Sequence, residues 1–320
     1  MELFLSNQVL IYLFSETLLF ALALIAFFGS ILILKDWDFN TTSIKQYQLE
    51  KKAYLIILII LFSLIFKILL MPYFAYTIDK LSDIVPGAMC AAGVIGANDY
   101  GNPLLLIKIA ILFLIGIWMI VNHEDLKAPN YPFFKEKFWF FVVIFILLCV
   151  EYYFDIAYFL NISLEQPVSC CSVIFGMSGD NEFPFGLSLT MLLALFYLLY
   201  ILNIVLSLQK NSFLLFASSI LFLYIAYSSI NHFFGTYIYE LPTHKCPFCM
   251  LQSEYYFVGY FLWTLLFLGV FFGVSNFVLK ILLGYELESA YKYSRIFNTL
   301  FVILCSAYPI IYYIRNGVWL

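Results

Sequence analysis

The sequence predicts an all-α, polytopic integral membrane protein of about eight transmembrane helices, with parallel helix–loop–helix internal repeats. Three observations predict it. Hydrophobic residues make up 64% of the chain and charged residues only 11%. A soluble domain carries about 25% charged residues, so the bilayer must be the solvent for most of this surface. Apolar runs of roughly 18 to 27 residues recur, each long enough to cross a hydrocarbon core of about 30 Å. Runs of that length satisfy their own backbone as helices, and the weak ten-residue alternation of barrel strands is absent.

The first run, 8–34, follows Met1-Glu2-Leu3-Phe4-Leu5, which lacks the basic region of a signal peptide. It also outlasts an h-region, so it is expected as a retained first helix. Further spans are expected at 53–74, 104–121, 138–160, 185–207, 213–235, 255–280 and 296–314, all in a single membrane domain, 1–320. Aromatic residues make up 21% of the chain, many near the ends of these runs, where Tyr and Trp suit a membrane interface. Gly269-x3-Gly273 in the seventh span reads as a small-xxx-small packing face.

Basic residues set the orientation. One set of loops and span ends holds Lys35, Lys45, Lys51, Lys52, Lys127, Lys135, Lys137, Lys210, Lys280, Lys292 and Arg295; the other holds Lys80, Lys245 and Arg315. The richer side is expected to be cytoplasmic. Both termini and the breaks at 75–103, 161–184 and 236–254 are then extracytoplasmic, in a membrane expected to be the bacterial inner one. The net charge of −4 gives no basic surface for nucleic acid, and the expected surroundings are the lipid bilayer.

The outer breaks share a spacing. The first reads Pro86-x3-Cys90-x8-Asp99-x3-Pro103 and the second Pro167-x3-Cys171-x8-Asp180-x3-Pro184. The third keeps only Pro242-x3-Cys246. Each break links a helix running outward to one running inward, so units at 53–121, 138–207 and 213–280 are expected as parallel repeats.

Five of the seven cysteines fall in these breaks: Cys90, Cys170, Cys171, Cys246 and Cys249. Cys149 and Cys305 lie in spans and read as small core residues. An odd count on an oxidising side leaves at least one thiol free, exchanging, metal-bound or paired with another chain. In Cys246-Pro247-Phe248-Cys249 the two sulfurs face each other at an expected helix start, where a thiolate is favoured by unpaired amides and the helix dipole. Lys245 and a protonated His244 would add to this. The same spacing offers two soft metal ligands.

Cys246-Pro-Phe-Cys249-Met250-Leu251-Gln252, next to a membrane helix, resembles the reactive segment of the DsbB-like quinone-dependent disulfide formers and of the vitamin K epoxide reductase family. The resemblance covers about fifteen residues. It implies that Cys246 and Cys249 form the pair that passes electrons to a bound quinone. It implies also that Cys90, with Cys170 or Cys171, forms the loop pair that exchanges with an extracytoplasmic thiol partner, with His244 tuning or shuttling protons.

A rival reading is soft-metal binding, delivery or transport, with a metallochaperone as partner. Cys90, Cys171, Cys246, Cys249, His244 and Met250 would be ligands; thiolate and thioether suit Cu(I), and thiolate with imidazole suits zinc. Met89, Cys170, Met177 and His232 are further soft donors in or beside the breaks. A third reading is a transporter or membrane assembly factor with structural disulfides. Glu16, Lys67, Lys108, Glu151 and Asp155 lie within expected spans, where ionisable residues are costly and face a bundle interior. The lysines are expected to snorkel outward and pair with carboxylates, or the five to line a polar cavity for protons or a solute.

Overall fold

The computed structural model describes residues 6–38, 41, 43–128, 131–165, 167–168, 186–284 and 286–320. Among them there is no strand, and eight helices are long and apolar enough to cross a membrane. They are α1 (Asn7–Asp36), α2 (Ile44–Leu81), α4 (Gly101–Lys127), α5 (Phe134–Leu160), α6 (Leu189–Leu208), the run of α7 and α8 (Ser212–Tyr239), α9 (Val258–Leu283) and α10 (Glu288–Asn316). A short helix, α3 (Ala91–Ile95), follows Cys90. The chain is therefore an all-α polytopic membrane protein.

Most helices outrun their apolar segments because polar ends continue the same backbone ladder. α2 starts nine residues before the expected span, where Ser43 Oγ accepts from the Gln46 amide at 3.2 Å. This is an N-cap that satisfies one of the orphan donors. Within the sixth span a π turn, Ile230–Phe234, separates α7 (Ser212–Ser229) from α8 (Gly235–Tyr239). The seventh helix begins later than expected. Tyr256 and Phe257 hold φ of 54° and 55°, a left-handed conformation that cannot continue into a right-handed helix.

The chain divides into two compact units: Met1–Pro86 with Val94–Val168, and Gly87–Gly93 with Ser169–Leu320. The expected 138–207 repeat runs across the division, with α5 in the first unit and α6 in the second. Cys171, Asp180 and Pro184, which carry the matched spacing, lie outside the described residues.

In the first unit α1 packs on α2 and α5, and α4 on α5 and α2, closing a ring of four. Its apolar core includes Ala26, Ile60, Ile115, Trp118, Phe138 and Phe141. At one end, the α4–α5 turn is fixed by Asp125. Its carboxylate accepts from the Phe133 amide at 2.8 Å and pairs with buried Lys137 at 2.6 Å.

In the second unit α6, α7, α9 and α10 form another ring, each packed on two others. Small and amide side chains line the contacts. Ser218 and Ser219 each donate to Asn203 Oδ1 at 3.0 Å, and Ser294 donates to the Gly269 carbonyl at 2.9 Å. A Cβ on Gly269 would meet Asn298 Oδ1 at 2.1 Å, and one on Gly273 would meet Ser219 Oγ at 2.2 Å. Close helix approach of this kind stabilises membrane bundles, where burial from water does not act between helices.

Candidate functional site: a buried three-cysteine cluster

The second unit brings Cys90, Cys246 and Cys249 together, all three buried, with their sulfurs within 4.8 Å of one another. Cys90 Sγ lies 3.7 Å from Cys246 Sγ. Cys90 arrives on the segment Gly87–Gly93, which belongs to this unit although the chain on either side of it belongs to the other. Gln252 ties the two loops, donating from Nε2 to the Met89 carbonyl at 3.3 Å.

The turn that carries the Cys-x-x-Cys is held from three sides. Tyr239, on α8, donates its hydroxyl to the Cys246 carbonyl and accepts from the Met250 amide at 3.1 Å. Trp263 of α9 donates to the Pro247 carbonyl at 3.2 Å. Gly259, in the first turn of α9, lets the helix close on it: a Cβ there would lie 2.6 Å from Met250 Cγ and 2.9 Å from the Met250 carbonyl oxygen.

Two expectations about the pair need correction. Cys249 opens a 3₁₀ turn, Cys249–Leu251, and not a membrane helix, since α9 starts only at Val258. His244 is not poised as a cation either, because burial pushes its pKa down. The thiolate is favoured instead by its neighbours. Hydrogen bonds from the Cys249 and Cys90 thiols lower the Cys246 pKa to about 3. The hydrogen bond to Cys246 likewise pushes the Cys249 and Cys90 pKa values upward. Within the cluster these shifts favour negative charge on Cys246 over Cys249 and Cys90.

The His244 ring lies tilted against Tyr239 with centroids 4.0 Å apart, and its buried Nε2 has no hydrogen-bond partner. Met250 is fully buried, whereas Met89 is 61% exposed. His232 sits in the π turn, with Nδ1 2.9 Å from the Ser228 carbonyl oxygen. Cys170, Cys171 and Met177 lie outside the described residues. The five described cysteines are free thiols, so no disulfide joins them. Cys305 is buried as expected, but Cys149 is exposed and is not a core residue.

The five intramembrane charges meet in the first unit. Lys67 pairs with Glu16 and, at 2.9 Å, with Glu151; Lys108 pairs with Glu151 at 2.7 Å and Asp155 at 2.8 Å. Tyr12, which the sequence reading missed, donates to Asp155 Oδ1 at 2.9 Å and accepts from Lys108 at 2.6 Å. The lysines do pair with carboxylates, but they do not snorkel: Lys67 is 8% exposed and Lys108 4%. Having found partners inside, they gain nothing by reaching outward. Tyr239, Lys137 and Asp125 were missed as well. In the sequence Lys137 reads as an ordinary cation of a loop or span end, and nothing in its spacing signals a buried pair with Asp125.

Fold and site together define an integral membrane protein with a buried three-thiol centre. The chain matches no protein-family model, no curated protein and no solved structure.

Proposed function

We propose that the protein is a membrane thiol–disulfide oxidoreductase, an electron relay that works through Cys90, Cys246 and Cys249 on the extracytoplasmic side of a bacterial inner membrane. The observation that carries this reading is the approach of a third sulfur, from a separate segment, to 3.7 Å from one member of a Cys-x-x-Cys pair. Thiol–disulfide exchange needs a third sulfur of this kind, since it passes through a mixed disulfide. The resemblance to the DsbB-like and vitamin K epoxide reductase-like enzymes supports the same reading. So does the fact that the sulfur-bearing unit holds four membrane helices.

In the oxidised pair Cys246 and Cys249 share a disulfide. The Cys90 thiolate attacks Cys246 Sγ, a Cys90–Cys246 bond forms, and Cys249 leaves and takes a proton. A loop sulfur, Cys170 or Cys171 by the resemblance, then attacks Cys90 Sγ. Cys246 leaves as a thiolate beside the Cys249 thiol, which lowers its pKa. The pair now holds two electrons as a thiolate and a thiol. The Cys246–Cys249 disulfide would be restored as the pair gives up both electrons and the Cys249 proton to an oxidant that the resemblance makes a lipophilic quinone, whose second proton would come from water. The loop disulfide in turn accepts electrons from the thiols of an extracytoplasmic partner protein.

One observation favours a second reading, a soft-metal site. The three sulfurs converge, and a buried imidazole nitrogen on His244 lacks a partner. Three thiolates and an imidazole suit zinc, and the thiolates alone suit Cu(I). One experiment separates the two. Replace Cys249 with Ala and map Cys246 by non-reducing electrophoresis and mass spectrometry. The relay predicts a trapped mixed disulfide on Cys246, to Cys90 or to a partner. Absence of any adduct, together with near-stoichiometric copper or zinc in the purified wild type that the variant loses, would replace the relay with the metal site.

A further inference from the structure

The charge cluster of the first unit does not balance. Three carboxylates, Glu16 on α1 and Glu151 and Asp155 on α5, meet two ammonium groups, Lys67 on α2 and Lys108 on α4. All five side chains are buried. An uncompensated charge in such a place is costly, and the usual escape is protonation.

Bond accounting shows where the shortage lies. Asp155 is satisfied at both oxygens, by Tyr12 and Lys108. Glu151 accepts from Lys108 at Oε1, whereas its Oε2 lies 2.9 Å from Lys67 Nζ as an ion pair without a hydrogen bond. Glu16 is 3% exposed and reaches Lys67 through Oε1 alone; its Oε2 is buried without a hydrogen-bond partner. Glu16 lines a small cavity together with Tyr12, Lys67, Met71, Lys108 and Glu151. Pro72 interrupts α2 one residue after Met71. Having no N–H, it leaves the carbonyl of Ile68 without its helical donor. The other titratable group near Asp155, Tyr158 of α5, commits its hydroxyl to the Val94 carbonyl at 2.8 Å.

We propose that this cluster is a proton-binding site. It holds one exchangeable proton, shared among Glu16, Glu151 and Asp155, and loads and unloads it through the Glu16 Oε2 edge of the cavity. A single added positive charge makes the cluster neutral, and a proton needs no room that the two ammonium groups already occupy. A divalent metal would overshoot the balance and compete with both lysines. The inference is independent of the sulfur chemistry, and its test reads no thiol.

The test is infrared difference spectroscopy on the full-length protein in detergent or lipid, with aspartate and glutamate labelled with ¹³C at the side-chain carboxyl. At neutral pH the wild type should show the C=O stretch of one protonated carboxyl per chain. The band should shift on exchange into D₂O and disappear reversibly as pH is raised. Glu16→Gln removes one negative charge while keeping the shape, so the band should be lost. Glu124→Gln, at a charge pair on the far end of α4, should leave it unchanged. No protonated carboxyl in the wild type, or a band that survives in a folded Glu16→Gln protein, overturns the proposal. So does a band removed by sodium chloride but not by choline chloride, which would make the ligand a metal cation. If Glu16→Gln does not yield a monodisperse protein, the labelled wild type decides alone: a band that does not respond to pH refutes the exchangeable proton.

Discussion

At Cys246 the neighbouring Cys249 and Cys90 sulfurs pull the pKa down, and this sets its reactivity. Only the thiolate attacks electrophiles. With a pKa of about 3, its thiolate fraction rises with pH only up to about pH 5 and is complete above that. Its alkylation rate by a small reagent should therefore be flat from pH 5 to pH 8, followed by mass spectrometry of the modified peptide. An ordinary thiol would gain nearly tenfold per pH unit over that window. A rate that climbs throughout would show that the three-sulfur hydrogen bonding does not hold in solution. Tyr239→Phe should loosen the same turn. It strips the Cys246 carbonyl of its donor and the Met250 amide of its acceptor, and each unpaired buried group costs about 1–3 kcal/mol. A lower melting temperature and faster Cys246 alkylation are the expected readouts. The cysteines of this site were legible because sulfur is rare and its spacing is distinctive. Tyr239 was not, because it is one of 25 tyrosines and its role exists only once the turn has folded over it.

Among elements, the most exacting contact is that of α9 on the Cys249–Leu251 turn. Gly259→Ala places a methyl group against the Met250 carbonyl oxygen, which is backbone and cannot swing away. Overpacking of this kind costs roughly 1–3 kcal/mol. The turn should shift, and mild oxidation should give a smaller yield of Cys90–Cys246 cross-link. Lys108 joins α4 to α1 and α5 through Tyr12, Glu151 and Asp155. Removing one partner of a buried ion network costs about 3–5 kcal/mol, so Lys108→Met should lower thermal stability in detergent sharply, whereas Lys127→Met, at an exposed pair, should not. All eight membrane helices were legible from apolar run length, a property that survives without knowledge of neighbours. Their ends were less so. The break at Tyr256 and Phe257 uses residues with no turn preference in left-handed backbone, and the π turn at Ile230–Phe234 leaves no trace in an apolar run.

For the whole molecule, the division into two rings of four helices is not legible in the sequence. Hydropathy is nearly uniform along the chain, and in lipid the grouping of helices depends on side-chain fit, which a periodicity cannot report. The Pro86 and Pro167 spacing drew attention instead to helix pairs, one of which straddles the division. The polar cluster was half visible: five buried charges stand out in apolar runs, but their pairing needs the ring. Orientation is the prediction at this scale. With thiols reduced, an impermeant label on intact cells should reach single cysteines placed beside Lys245 but not those placed beside Lys135. The reverse pattern would invert the assignment of sides.

The segment Gly87–Gly93 also has a consequence in time. Cys90 and Cys246 are separated by 156 residues of chain. At about 5–20 residues per second, Cys90 leaves the ribosome roughly 10–30 s before its counterparts exist. If that side oxidises thiols, as the proposed orientation implies, a nascent chain must carry that sulfur through the insertion of the α4, α5, α6 and α7 spans without a native partner. Chains arrested short of residue 246 should accumulate Cys90 in mixed disulfides with other proteins, and full-length chains should not. Biogenesis of this protein would then depend on whatever keeps one early thiol uncommitted.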